Sequence, residues 1–359
     1  MNEVKMKSVL IGMSGGVDSS VAAALLRDQG YHVIGATMRL WTYQDNDNSK
    51  HEGCCAESAV EDARRVCDKL GIDFYVMNFK DLFRKKVVDN FVDEYTHGRT
   101  PNPCIMCNKY LKFDAMLKKA LAMDIDYVAT GHYATIEKDA NGKYLLRASK
   151  AAKKDQSYVL YNFTQEQLAH TLMPLGGYNK DEVRALAEKY GLAVAHKPDS
   201  QEICFVEDDD YAKFITDYSG YQPVPGDILD VNGNKLGEHK GLIYYTIGQR
   251  KGIGAYGRPM FVKEIDAQKN TITLGEKGME FSNELIASDV NFVSGEFPTE
   301  PIAIQAKVRY QAPPAEAVLY PLENGNVKIS FPVPQRAITP GQAVVFYDGD
   351  IVLGGGTVM

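Results

Sequence analysis

Two cysteines one helical turn apart, Cys104 and Cys107, stand in the stretch TPNPCIMCNKYLKF, behind a pair of prolines and ahead of a lysine-rich segment with helical spacing. Such a pair can be half of a zinc site, a redox disulfide, part of an iron-sulfur cage, or a nucleophile with a neighbour. Pro101 and Pro103 disfavour helix upstream, so the periodic pattern CNKYLKFDAMLKKALAM is expected to begin its helix at Cys107. A thiol in that position feels the positive end of the helix dipole, with Lys109 and Lys112 in the next turn, and its thiolate is favoured. A third thiol, Cys204, lies in KPDSQEICFVEDDDY, a short apolar stretch between a polar turn and an acidic run. Cys54 and Cys55 in HEGCCAES stand near His51, but adjacent cysteines seldom both reach one ion. Cys67 falls inside an amphipathic segment and reads as core.

A second chemistry is written in GMSGGVDSS, Gly12 to Ser20, which follows an apolar run and opens an amphipathic segment. Gly15 and Gly16 let the backbone approach a ligand closely. Free N–H groups and the helix dipole favour an anion there, and Ser14, Ser19 and Ser20 add hydroxyl donors. The spacing is neither G-x-x-x-x-G-K-[ST], whose lysine is missing, nor G-x-G-x-x-G.

These residues need a scaffold. The first half of the chain alternates short apolar runs (VLIGM, HVIGATM, FYVMNF, YVATGHYA) with segments of i, i+3, i+4 spacing, which predicts βαβ units on an open, doubly wound parallel sheet. The character changes near residues 217–225. Beyond it, short β-rich runs punctuated by Asn-Gly and Gly turns predict a small central β domain over 218–282 and a compact β-barrel over 283–359, with 1–217 as the α/β domain carrying the glycine turn and all the cysteines.

At 359 residues the chain exceeds a single core, in keeping with several domains. No apolar run approaches the roughly 18 residues of a membrane span. The apolar stretch Val9 to Met13 is too short for the core of a signal peptide, so a cytoplasmic, reducing setting is expected, where thiols are buried, metal-bound or catalytic rather than permanently bridged. The formal net charge of -7 argues against coating nucleic acid by bulk electrostatics. KYLLRASKAAKKDQ, Lys143 to Gln156, is nevertheless locally basic: on charge alone it reads first as a solvated lysine-rich loop and second as a face that could meet phosphates.

S-G-G-x-D-S-S resembles the pyrophosphate-binding PP-loop of the ATP pyrophosphatases. That resemblance implies ATP split between its α and β phosphates, with Asp18 close to the phosphates and their Mg2+. Taken together, GMSGGVDSS, TPNPC-x-x-CN-K, GHYA, KKDQSYVL, DSQEICF, YYTIGQRKG and AKVRYQ resemble, in order and across essentially the whole chain, the tRNA-specific 2-thiouridylase family. The resemblance implies 2-thiolation of the tRNA wobble uridine: adenylation of the C2 oxygen, then displacement by sulfur carried as a persulfide. By motif it implies Cys204 as persulfide carrier and Cys107 as its partner nucleophile. It further implies ATP contacts at Gly12, Met13, Ser14, Gly15, Gly16, Val17, Asp18, Ser19, Met38 and Gly131, a base pocket at Asn102, Pro103 and Cys104, and tRNA contacts at Lys154, Asp155, Gln156, Arg309 and Tyr310. Its partners would be tRNA and a persulfide donor, a cysteine desulfurase or a sulfur-relay protein.

One departure stands out: many family members carry an aspartate where this chain has Cys104, which removes the natural group for moving a proton. Cys104, Cys107 and Cys204 could instead hold three irons of a [4Fe-4S] cluster. Another PP-loop synthetase acting on a small molecule is the alternative function, but it would have no use for Cys107 together with Cys204.

Overall fold

The computed structural model describes residues 6–41, 57–150, 154–199, 203–206 and 208–359. His51, Cys54 and Cys55 lie outside the described residues. Among the described residues, seven strands form in the first part of the chain: β1 (Ser8–Gly12), β2 (His32–Arg39), β3 (Asp73–Asn78), β4 (Tyr127–Ala129), β5 (Ala134–Lys138), β6 (Tyr144–Ala148) and β7 (Thr171–Leu172). Five of them make a parallel sheet in the order β3-β2-β1-β4-β7. Helices cover both faces, which is why the centre of β1 reads Val9-Leu10-Ile11 with every side chain buried instead of alternating. One face packs on the helices Val17–Asp28, Glu57–Leu70 and Lys180–Lys189. The other packs on the helical runs 80–96 and 103–122. The chain steps outward from β1 to β2 and β3, then returns to β4 on the opposite side of β1. A ligand crevice therefore opens at the carboxyl ends of β1 and β4.

The central β domain is a four-stranded sheet of β8 (Gly226–Leu229), β9 (Lys235–His239), β10 (Met260–Asp266) and β11 (Thr271–Glu276), in the order β10-β11-β8-β9. It has its own core of Ile228, Val262, Ile272 and Leu274. The last part consists of β12 (Phe281–Phe292), β13 (Ile302–Lys307), β14 (Ala315–Pro321), β15 (Val327–Arg336), β16 (Ala343–Asp348) and β17 (Ile351–Val358). Six strands in the order β12-β15-β14-β13-β16-β17 close into a barrel through the β12–β17 pairing, so no edge remains within the ring. The hairpin β5–β6 belongs by sequence to the nucleotide-binding part, yet it pairs onto β17 at Arg147–Ile351 and extends the barrel's sheet. The parallel-sheet part and the barrel are thereby joined through a shared sheet.

The cysteine helix starts earlier than its sequence suggests. Helix begins at Pro103, not Cys107, and runs through Pro103–Cys107, a π-helical segment Asn108–Ala115 and Met116–Ala122. Proline is tolerated at the first helical position, where its missing N–H would be unpaired anyway, and Asn102 caps the end by accepting from the Ile105 N–H at 3.3 Å. Cys104 thus occupies the first turn, nearest the dipole's positive end, and Cys107 stands one turn further in. Directly after Cys107 the helix widens to π geometry, a feature frequent at functional sites.

Candidate active site

The glycine turn connects β1 to the helix Val17–Asp28, as its spacing predicts. Met13 locks it to the sheet: its N–H donates to the Ala36 carbonyl at 2.8 Å, and its own carbonyl accepts from the Thr37 hydroxyl at 2.8 Å. Gly15 adopts φ +69°, and a Cβ there would stand 2.3 Å from the Ala59 carbonyl oxygen, so only glycine fits. Gly16 caps the helix in an extended conformation without a side chain of its own. Ser20 donates to the Gly16 carbonyl at 2.8 Å, while the Ser14 N–H donates to the Ser19 hydroxyl at 3.2 Å. Backbone N–H groups, two hydroxyls and the Asp18 carboxylate gathered at one helix N-terminus suit a nucleotide phosphate chain with its Mg2+.

This turn forms one end of a cavity of about 320 Å³. Gly12, Met13, Ser14, Asp18, Ser19, Met38 and Gly131 contribute to its wall, and so do Pro103, Cys104, Cys107, Gln156 and Cys204. The glycine turn and the three thiols Cys104, Cys107 and Cys204 therefore line one chamber. Cys104 is exposed, Cys107 is buried at 8% exposure and Cys204 is half-buried. The position of Cys204 is set by its neighbour: Phe205, 1% exposed, plugs an aromatic cluster against Phe83, Phe91 and Phe214 at centroid distances of 5.6, 5.2 and 5.1 Å. Phe83 itself lines the cavity, from the helical run that packs beside the cysteine helix. Among the described residues, no group of three His, Cys, Asp or Glu side chains is arranged to hold a metal ion, so the geometry lends the three-cysteine cluster no support. Cys67 is core as expected, its thiol pushed up to about 12 by burial and then by Asp68.

The residues expected to touch tRNA fare differently from one another. Gln156 lies on the cavity wall, tied to Tyr133 by a pair of hydrogen bonds: its side-chain oxygen accepts from the Tyr133 N–H at 3.0 Å and its own N–H donates to the Tyr133 carbonyl at 2.9 Å. Asp155 is engaged in building the turn, accepting from the Ser149 and Ser157 N–H groups and from the Ser157 hydroxyl at 3.0, 3.1 and 2.8 Å. Lys154 pairs with Asp199 at 2.7 Å. Asn102 serves as helix cap and faces a second, smaller cavity of about 130 Å³. Arg309 points inward: its guanidinium donates to the Ile247 and Ala337 carbonyls at 3.1 and 2.6 Å and to Thr339 at 2.8 Å, fastening the YYTIGQRKG loop to the barrel. Tyr310 is 41% exposed, and its hydroxyl donates to the Asp155 carbonyl at 3.1 Å. Burial, then Asp155 and Cys104 beside it, raise its phenol above the usual tyrosine range. The barrel thus reaches the segment that carries Gln156 to the cavity wall. It also holds the cysteine turn: Thr100 donates its N–H to the Pro340 carbonyl at 2.9 Å, and the Gln342 amide donates to the Thr100 and Pro101 carbonyls at 2.9 and 3.2 Å.

Several further residues build the site. Lys180 bridges Asp18 and Asp199, Tyr133 donates to Asp18 at 2.7 Å, and Lys197 binds the Gly15 carbonyl at 3.1 Å and Asp62 at 2.7 Å. His132, buried on the cavity wall, contacts the Thr130 hydroxyl through Nδ1 at 2.7 Å. Burial, then the Lys112 charge, hold it well below the usual histidine range, so it is a neutral ring at neutral pH. GHYA hinted at His132 and Tyr133. Asp199 stands in the DSQEICF motif and Lys197 just before it, but nothing in the local spacing pointed to Lys180.

Three family models match successive parts of the chain. Residues 7–208 match a family model described as a tRNA methyl transferase HUP domain, residues 212–276 a tRNA methyl transferase PRC-barrel domain, and residues 282–358 an aminomethyltransferase beta-barrel domain. The tRNA-specific 2-thiouridylase MnmA of Acetivibrio thermocellus is 58% identical over 355 residues, covering 98% of this chain and 99% of that protein. The MnmA of Clostridioides difficile is 58% identical over 355 residues, with 98% of each chain covered. Among solved structures, a 4-thiouridine synthetase in complex with RNA and bound ATP aligns at 18% identity and a TM-score of 0.38, over 59% of this chain and 50% of that one, too distant a likeness to argue from. A nucleotide turn and a cysteine pair sharing one chamber, with relatives this similar along their full length, identify the chain as a member of the tRNA-specific 2-thiouridylase family.

Proposed function

We propose that the protein thiolates C2 of the wobble uridine in tRNA, as a tRNA-uridine 2-sulfurtransferase that uses ATP. The observation that carries the reading is the single cavity on whose wall the glycine turn, Met38 and Gly131 meet Cys104, Cys107 and Cys204. A small-molecule synthetase would have no reason to line its nucleotide chamber with these thiols. Residues 1–217 would bind ATP and carry the chemistry, 218–282 would connect, and 283–359 would hold the tRNA.

In the first step the uridine O2 attacks the α-phosphorus of ATP and pyrophosphate leaves. The glycine turn orients the phosphate chain, and Mg2+ held near Asp18 would neutralise the charge of the departing pyrophosphate. Cys204 enters the second step as a persulfide received from a donor protein. By one route its terminal sulfur attacks C2 and AMP departs with the original oxygen. The Cys107 thiolate then attacks the Cys204 sulfur, leaving the thiocarbonyl on the base and a Cys107–Cys204 disulfide. By the other, Cys107 attacks first and liberates a sulfide, which then attacks C2. Both routes reduce one sulfane sulfur with two thiols, and an external dithiol regenerates the enzyme. The burial of Cys107 suits this role, since water is kept from a reactive sulfur intermediate.

The test is thiolation of unmodified tRNA with ATP and a persulfide source. Cys107→Ser and Cys204→Ser should abolish turnover while pyrophosphate release with tRNA persists, and Cys104→Ala should retain measurable turnover. Full turnover in both serine variants would refute the mechanism.

A further inference from the structure

The glycine turn lacks the lysine that a P-loop uses against phosphates, and its one charged residue, Asp18, is an anion. ATP brings several negative charges to this helix N-terminus, so dipole and hydroxyls would have to counter both the phosphates and Asp18. Three-dimensional structure brings a cation from elsewhere. Lys180, the first residue of the helix Lys180–Lys189, reaches across to Asp18 with Nζ 2.8 and 2.9 Å from the two carboxylate oxygens. The same ammonium lies 2.6 Å from Asp199, whose other oxygen takes Lys154 at 2.7 Å, with Arg184 at 3.7 Å. The Lys180 side chain is only 13% exposed. Asp199 is held below the usual carboxylate range: burial pushes it up, but Lys154 and Lys180 outweigh that.

A nearly buried lysine between two carboxylates contributes little to stability, because desolvation offsets most of the attraction. Its location on the carboxylate that lines the nucleotide cavity calls for a different account. We propose that Lys180 is a phosphate-binding residue of the ATP site, the cation the glycine turn does not itself contain, tethered by Asp199 so that it can pass from Asp18 to the β and γ phosphates and to the pyrophosphate they become. This inference rests on the ATP reading of the turn. Mg2+ and Lys180 compete for the same carboxylate, so when Asp18 faces the metal, the lysine is left to the phosphates while Asp199 keeps it within reach. Lys154 and Arg184 keep Asp199 compensated throughout the exchange.

The experiment measures equilibrium binding of adenosine, AMP and MgATP to the full-length protein without tRNA, for wild type, Lys180→Gln and Lys180→Arg. Lys180→Gln should leave adenosine affinity within about twofold, weaken AMP modestly and weaken ATP by about tenfold or more, the scale of one lost charge-assisted contact. Weak competition by pyrophosphate should be lost in parallel, and Lys180→Arg should stay within about threefold of wild type for ATP. A merely structural lysine predicts an equal loss for all three ligands, and that result overturns the proposal. So does an ATP affinity unchanged in Lys180→Gln, or an arginine variant as weak as the glutamine one. Wild-type protein that binds adenosine and ATP equally would overturn the phosphate site itself, and with it the ATP reading.

Discussion

Gly131 offers a direct test of how closely the two halves of the proposed ATP site are fitted. It follows β4 and faces the first turn of the helix Val17–Asp28. A Cβ at this position would stand 2.6 Å from the Ser19 amide nitrogen, 2.7 Å from the Asp18 carbonyl carbon and 3.1 Å from the Asp18 Cβ. Gly131 is not among the positive-φ glycines, so alanine brings no backbone strain and its effect is displacement alone. The nearest neighbours are backbone, which cannot rotate away. β4 is held between β1 and β7, so the helix turn has to retreat by about 0.8 Å to restore ordinary contact, at an overpacking cost of about 1–3 kcal/mol. A shift of that size moves the N–H groups and Asp18 off the phosphates, and misplacement near 1 Å can cost about 100-fold in turnover. Gly131→Ala should therefore lower the thermal midpoint and weaken ATP in calorimetric titration by at least about tenfold. Gly177→Ala, with nothing within 4 Å of the added methyl and no positive φ, serves as the control and should resemble wild type. If Gly131→Ala matched Gly177→Ala in both measurements, the close approach of β4 to the helix would not be limiting and the reasoning would fail.

Arg309→Ala should destabilise the protein by about 2–4 kcal/mol, because it removes three hydrogen bonds from a half-buried guanidinium and leaves the Ile247 and Ala337 carbonyls without that partner. A variant that lost only tRNA affinity, with an unchanged melting curve, would contradict the inward role. His132 should make stability fall with acid. Its folded pKa is depressed by burial, so below the unfolded value near 6.5 the unfolded chain holds a proton that the native state refuses. Stability fully present above that pH is lost as pH falls towards the folded pKa, with a slope approaching about 1.4 kcal/mol per unit. His132→Gln should remove one proton's worth of this slope between pH 5 and 7, and identical slopes in thermal midpoint would refute it. In timed alkylation followed by peptide mapping, exposed Cys104 should react well before Cys107, and Cys67 should react only on unfolding. Equal labelling of Cys67 and Cys104 in the native protein would argue against this burial.

What could be read ahead of the structure was whatever depends on neighbouring residues. The glycine turn and its position between strand and helix follow from nine consecutive residues, because backbone N–H groups and a helix dipole need no distant partner. The same holds for the βαβ alternation and the turn-punctuated β segments. At the start of the cysteine helix two local rules compete even at short range. Proline as a breaker suggested a start at Cys107, but Asn102 as cap with Pro103 in the first turn is the better solution.

The sequence by itself determined the family, the parallel-sheet nucleotide domain, the two β-rich domains and which thiols and loop residues to watch. Only tertiary structure decided that Cys104, Cys107 and Cys204 share a chamber with the glycine turn, and that a phenylalanine plug beside Cys204 sets its position there. It alone turned Arg309 inward and brought Lys180 to Asp18 across 162 residues of chain. The physical reason is that periodicity and turn chemistry act within a few residues. A buried charge is instead placed by whichever distant partner can compensate it, and that partner leaves no mark on the local sequence.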